Sequence, residues 1–279
     1  MAKQRWMSTL TLAFGLMAGA GTAAAQALPV SIEASGNVAH ARIGLGSTSL
    51  ADVTLSFQDA SNLNAASVGI SAEQLNLADP TLLARLPAGS LTQIASGLPV
   101  MITVEPPASG GLSFRNTGRM EIHTHALPYT VGSSLRVFKA PLGGSFRDVT
   151  DEIAQGSVRA RSTYGGFSQF LIVSDLRPTA DVVAEKVARL RTNVDALPAA
   201  EQAGFDTLID NAESAVARAD YADAIANVDA LKARALERGG SALANEWRAS
   251  RDVTNHAGEI AANAATLRFS VAYLRDFGQ

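Results

Sequence analysis

Glu121, His123 and His125 alternate along Glu121-Ile122-His123-Thr124-His125, so on a β-strand their side chains share one face. Two imidazoles spaced this way can chelate one metal ion, with a further ligand drawn from elsewhere in the chain, as zinc sites do. The spacing supplies no such ligand: His40 and His256 are remote in sequence, and the chain has no cysteine. The competing reading is an exposed polar face, with Ile122, Thr124 and Ala126 turned toward a core. The sequence therefore assigns no metal, no cofactor and no catalytic residue, although Glu121, His123 and His125 remain the residues to locate in three dimensions.

Other stretches carry weaker chemistry. Gly166-Phe167-Ser168-Gln169-Phe170 approaches a nucleophile elbow but lacks its second glycine and its strand–turn–helix setting, so it reads as a buried strand start. Gly44-Leu45-Gly46-Ser47-Thr48-Ser49 fails the dinucleotide fingerprint at its last position and reads as a loop. Asp206 and Asp210 lie one helical turn apart, but nothing completes an oxygen cage for a hard cation. Arg234, Arg238, Arg248 and Arg251 flank Gly239-Gly240; the first two sit where a helix C-terminus favours cations. The absence of cysteine excludes disulfides, thiol catalysis and iron–sulfur ligation. A net charge of −3 excludes a general nucleic-acid binder, which needs a basic surface to release phosphate counterions.

The elements that position these residues follow from the hydrophobic pattern. Lys3 and Arg5, an apolar run from Trp6 to Met17, and a ladder of small residues to Ala25 have the three parts of a cleavable export signal. Cleavage is expected after Ala25 or Ala27, so residues 1–27 are set aside as signal. From Leu28 to Pro178 the chain is rich in glycine and proline, with short alternating runs such as Val53-Thr54-Leu55-Ser56-Phe57. Eight or nine such runs predict an antiparallel, immunoglobulin-like β-sandwich over residues 28–178. Asp79-Pro80 marks the start of one short helix, with Asp79 as N-cap. Beyond Pro178 alanine takes over and the period changes to that of helices. Val183, Val187, Leu190, Val194 and Leu197 form one stripe. A second stripe runs through Phe205 and Ile209, and a third through Val228 and Leu231. Ser241 caps a long fourth segment, its stripe passing from Leu243 through Trp247 and Val253 to Leu274; if unbroken it is one helix of about 50 Å, with Gly258 its weak point. Residues 179–279 are thus expected to form a bundle of about four helices and the whole chain an α+β protein of two separately folding units.

Phe146-Arg147-Asp148-Val149-Thr150, followed by Gly165-Gly166-Phe167-Ser168-Gln169-Phe170-Leu171-Ile172-Val173, is similar to the closing strands of a recurrent bacterial extracytoplasmic β-sandwich module. Leu135-Arg136-Val137-Phe138 is similar to the strand before them. The layout as a whole resembles an uncharacterised family of exported Gram-negative bacterial proteins with such a module followed by a helical bundle. The resemblance carries over no catalytic residue. The export signal implies a periplasmic or secreted protein, no later apolar run is long enough to span a membrane, and the lack of a recognisable catalytic constellation points to a non-enzymatic protein that binds a protein or cell-surface partner. A carbohydrate- or envelope-binding module and a carboxylate-dependent hydrolase are the alternatives. The Asp-Val-Thr element has a structural expectation of its own, since Asp and Thr side chains can fix a turn by bonding nearby backbone groups.

Overall fold

The computed structural model describes residues 25–45, 48–155 and 157–278; the expected export signal lies, up to position 24, outside them. The strands are β1 Gln26–Leu28, β2 Val30–Ser35, β3 Val38–Leu45, β4 Thr48–Ser61, β5 Ile70–Gln74, β6 Thr92–Ile94 and β7 Val100–Val104. They continue as β8 Ser113–Thr124, β9 Leu135–Ala140, β10 Arg147–Asp148, β11 Thr150–Ala154, β12 Val158–Tyr164, β13 Gln169–Asp175 and β14 Glu246–Arg248. The helices are α1 Pro80–Leu83, α2 Thr179–Asp195, α3 Ala199–Ala217, α4 Tyr221–Arg238 and α5 His256–Phe277. The protein is α+β, with two antiparallel sheets. One runs β1-β5-β7-β13-β9-β10, with β6 also on β13. The other runs β11-β12-β8-β4-β3-β2, with β14 also on β8.

Alternation explains which face of each strand is buried. Ala51, Val53, Leu55 and Phe57 of β4 and Met120 and Ile122 of β8 turn inward, where Ile102, Val137, Phe170 and Ile172 of the other sheet meet them in one apolar core. β7 and β13 are apolar on both faces, as the continuous runs Val100–Val104 and Phe170–Val173 require. Their second face packs a separate cluster of Leu75, Leu82, Leu86, Met101, Phe138, Phe146 and Leu171, to which α1 contributes Leu82. The expected start of α1 is observed, with the Asp79 carboxylate accepting from the Thr81 N–H at 2.9 Å.

The four long helices enclose their own core, with Val187, Leu190 and Val194 of α2 against Phe205, Ile209, Val228, Leu231, Ile260, Leu267 and Val271. The fourth segment differs from expectation. It is not one helix from Ser241: α5 begins at His256, and the preceding residues form an irregular connection containing β14. Glu246-Trp247-Arg248 pairs antiparallel with Ser113, Phe114 and Arg115 of β8. Trp247 thereby enters the core between the sheets, stacked on Phe114 at 5.4 Å and edge-on to Phe167 at 4.9 Å. A Trp buried between sheets removes more apolar area from water than it would on a helix stripe, and it gains these aromatic contacts as well.

α5 is buried on nearly every side. One face meets α2 and α4; the buried residues outside that core, Ala262, Asn263, Ala265, Thr266 and Ser270, belong to a helix that also packs on β12, β11 and β8 of one sheet. Its N-terminus approaches so closely that a Cβ on Gly258 would lie 2.1 Å from the Asn116 carbonyl oxygen, and one on Gly165 would lie 2.4 Å from the Glu259 nitrogen. Asn255 locks that approach. Its Oδ1 accepts from Gly258 N–H at 2.9 Å as N-cap, and its Nδ2 donates to the carbonyls of Asn116 at 2.7 Å and Gly165 at 3.0 Å. Among the described residues no helix is long and apolar enough to cross a membrane.

Candidate functional site

Strand β8 places Glu121 and His123 on the solvent face of its sheet, opposite Ile122 in the core. There Glu121 stands in a polar row across the sheet, its register neighbours being Thr54 and Arg161, and beyond them His40, Glu33 and Glu152. Both its oxygens are taken, by Arg159 Nη1 at 2.7 Å and Arg161 Nε at 2.6 Å. Burial pulls the Glu121 carboxyl upward, and the hydrogen bonds and charges of Arg161 and Arg159 reverse this, holding it below the usual carboxylate range. An ionised carboxylate committed to two guanidiniums is neither a proton donor nor an available ligand. His123 bonds Ser157 through Nε2, and its ring lies 5.0 Å from that of His125 just past the strand. His40 bonds the Thr54 hydroxyl at 3.2 Å and lines a groove elsewhere on the same face. His256 opens α5. Among the described residues no group of three or more His, Asp or Glu is arranged to hold a metal ion.

The other stretches fall where local physics puts them. Ser168 is buried in the turn leading into strand β13, without the helix that an elbow needs. Gly44 and Leu45 pair with Ser49 and Thr48 across the β3–β4 hairpin, and Gly46 and Ser47 lie outside the described residues. Asp210 binds Arg191 at 2.8 Å. Arg238 and Arg234 both face Glu201 at the start of α3, Arg248 binds Glu246 at 2.7 Å, and Arg251 binds Glu105 at 2.5 Å. The arginine group is thus dispersed into separate ion pairs, Arg234, Arg238 and Arg251 with acids remote in sequence and Arg248 with Glu246 on its own strand, a pairing that helix-end chemistry alone does not show.

Asp148 and Thr150 carry the most heavily bonded polar network. Asp148 Oδ1 accepts from the Thr150 N–H at 2.8 Å and its hydroxyl at 2.6 Å, which fixes the turn between the two sheets. Asp148 Oδ2 accepts from Lys186 Nζ of α2 at 2.7 Å, and the same ammonium reaches Thr266 Oγ1 at 2.7 Å and Ser270 Oγ at 2.8 Å on α5. Burial raises the Asp148 carboxyl, but Lys186, Arg136 and the Thr150 hydrogen bond outweigh it and hold the group ionised, below its ordinary range. Nearby, Arg136 stacks over Tyr273 of α5 at 4.3 Å, while the Tyr273 hydroxyl donates to Gly132 at 2.8 Å. These groups are spent on joining sheets to helices.

A different surface is left open. The excursion between β5 and β7 carries Leu77, Leu83 and Leu91, exposed by 40%, 39% and 42%. Leu77 and Leu83 line a groove of about 510 Å³ with Thr92 and Ile94 of β6 at its floor. The Leu91 carbonyl accepts the backbone N–H of Leu176, itself 60% exposed, which brings two further exposed leucines onto adjoining backbone. The sequence signalled α1 through its cap but not the outward leucines, because a helix of one turn has no periodicity to separate its faces.

No curated protein matches the chain. A family model described as "Family of unknown function (DUF6689)" matches residues 13–275, the sheets and the helices together, and the chain belongs to that family.

Proposed function

We propose that this is an exported, non-enzymatic binding protein, an immunoglobulin-like sandwich buttressed by helices, whose partner is a protein or a component of the cell surface. The observation that carries this reading is the open apolar groove around Leu77 and Leu83, extended by Leu91 and Leu176. Large aliphatic side chains left together in water mark interaction surfaces. Export rests on the N-terminal signal pattern. Cleavage after Ala25 fits best, because Gln26 and Ala27 already pair with Gln74 and Glu73 of β5, and cleavage after Ala27 would remove them from the sheet.

The test is affinity capture from envelope extracts with a chain beginning at Gln26, in parallel with its Leu77→Asp/Leu83→Asp variant. Both leucines are exposed, so the variant should melt within a few degrees of the parent. The expected result is a partner retained by the parent and lost by the variant. Identical captured proteins for both would refute the groove as the binding surface.

A further inference from the structure

A second concavity, of about 430 Å³, opens where the β9–β10 turn and β10 face α2 and α5. Ligand pockets typically occupy about 300–1,000 Å³. Arg147, Arg189 and Asn263 line it, with the hydroxyl residues Ser145 and Thr192. We propose that this cleft binds a small molecule through an oxyanion group — carboxylate, phosphate or sulfate — held by Arg147, Arg189 and Asn263.

The cleft gathers positive charge. Lys139, Arg147 and Arg189 come from β9, β10 and α2, while the two acids that line the cleft, Asp148 and Glu185, are already engaged. Asp148 is taken by Lys186 and Glu185 by Arg177 Nη1, each at 2.7 Å. Glu259 is shared between Lys139 at 3.9 Å and Arg147 at 3.8 Å, too far to hydrogen-bond either. Arg189, exposed at the rim, has no acidic partner among the described residues. The crowding is felt by the groups themselves. Burial, reinforced by the charges of Arg147, Arg189 and Arg251 and opposed by Glu259, lowers the Lys139 ammonium to about 8. Burial and then Arg189 also lower Arg147, against Glu259 and Glu185.

The cleft also holds unused donors. Asn263, which lines it, is only 5% exposed, and its Nδ2 has no partner among the described residues; neither has the buried Nε of Arg147. Buried N–H groups are costly to leave unpaired. A planar guanidinium suits an oxyanion's geometry.

Sulfate is the probe, because it does not titrate near neutrality. A chain beginning at Gln26 is titrated calorimetrically with sulfate at neutral pH. The expected result is saturable binding at one site. Arg189→Gln and Arg147→Gln should each weaken binding about tenfold or more, the loss of one charge-assisted hydrogen bond. Arg189 is exposed, so its variant keeps the test decisive if Arg147→Gln fails to fold. Leu83→Asp should bind sulfate as the parent does, which separates this site from the apolar groove. Absence of saturable binding, or binding equal in Arg189→Gln, would each overturn the assignment.

Discussion

Asp148 shows how one carboxylate organises a junction. It closes the turn between the sheets through Thr150 and neutralises Lys186 from the helices. The local half of this role was legible in Asp148-Val149-Thr150, since Asp and Thr bond nearby backbone. The distant half was not, because nothing in the order of residues pairs position 148 with 186. Asp148→Asn keeps an acceptor for Thr150 but leaves the Lys186 ammonium without a counter-charge, and denaturant unfolding at neutral pH should show a loss of about 3–5 kcal/mol. The double variant Asp148→Asn/Lys186→Met should be less destabilised than the single, since neither buried charge remains. Because the folded carboxyl lies below its ordinary value of 3.8, the stability it contributes is present above that pH and is lost as pH falls further into the acid range. Asp151 behaves oppositely. Burial raises its carboxyl above 3.8, Thr163 donates to one oxygen, and the other oxygen has no partner. Asp151→Asn should therefore melt higher than the parent at pH 7, with the advantage vanishing below about pH 3.8, where both states protonate the parent's carboxyl. An equal or lower melting temperature at pH 7 would contradict this. At the sites singled out from sequence, residue type was a guide only to local behaviour: Glu121 and His123 share a face as alternation requires, but their partners Arg159, Arg161 and Ser157 come from the adjoining strand β12 and the turn before it.

Among the elements, long alternating strands and the first three bundle helices follow directly from hydrophobic period. Elements that were not legible are short or buried on all sides. β14 has a single inward residue, Trp247, and its spacing from Leu243 mimics a helical stripe. β5 offers only Ile70 and Ala72 to the core, too little alternation to stand out. In α5 alanines and small polar residues occupy the face toward the sheets, so no polar side announces where the helix starts. Its start is set instead by Asn255. Trp247→Ala should cost about 3–5 kcal/mol in denaturant unfolding, the range for emptying a large aromatic site. A loss below about 1 kcal/mol would mean that β14 is a peripheral strap rather than a part of the sheet core.

For the molecule as a whole, the composition change at Pro178 coincides with the passage from β13 to α2, and one apolar core lies mainly on each side. The sequence reading of two separately folding units rests on that change of period. Among the features that join the units are Trp247 in the core between the sheets, Lys186 on Asp148, and Asn255 clamping Asn116 and Gly165 to the start of α5. None of these is encoded in local pattern, because each pairs residues remote in sequence. We propose that they make sheets and helices one cooperative unit, which holds both the apolar groove and the cleft of Arg147 in fixed shape. Differential scanning calorimetry of a chain beginning at Gln26 tests this most directly. One transition, with equal calorimetric and van't Hoff enthalpies, is the predicted result; two resolved transitions, one helical and one β, would contradict it.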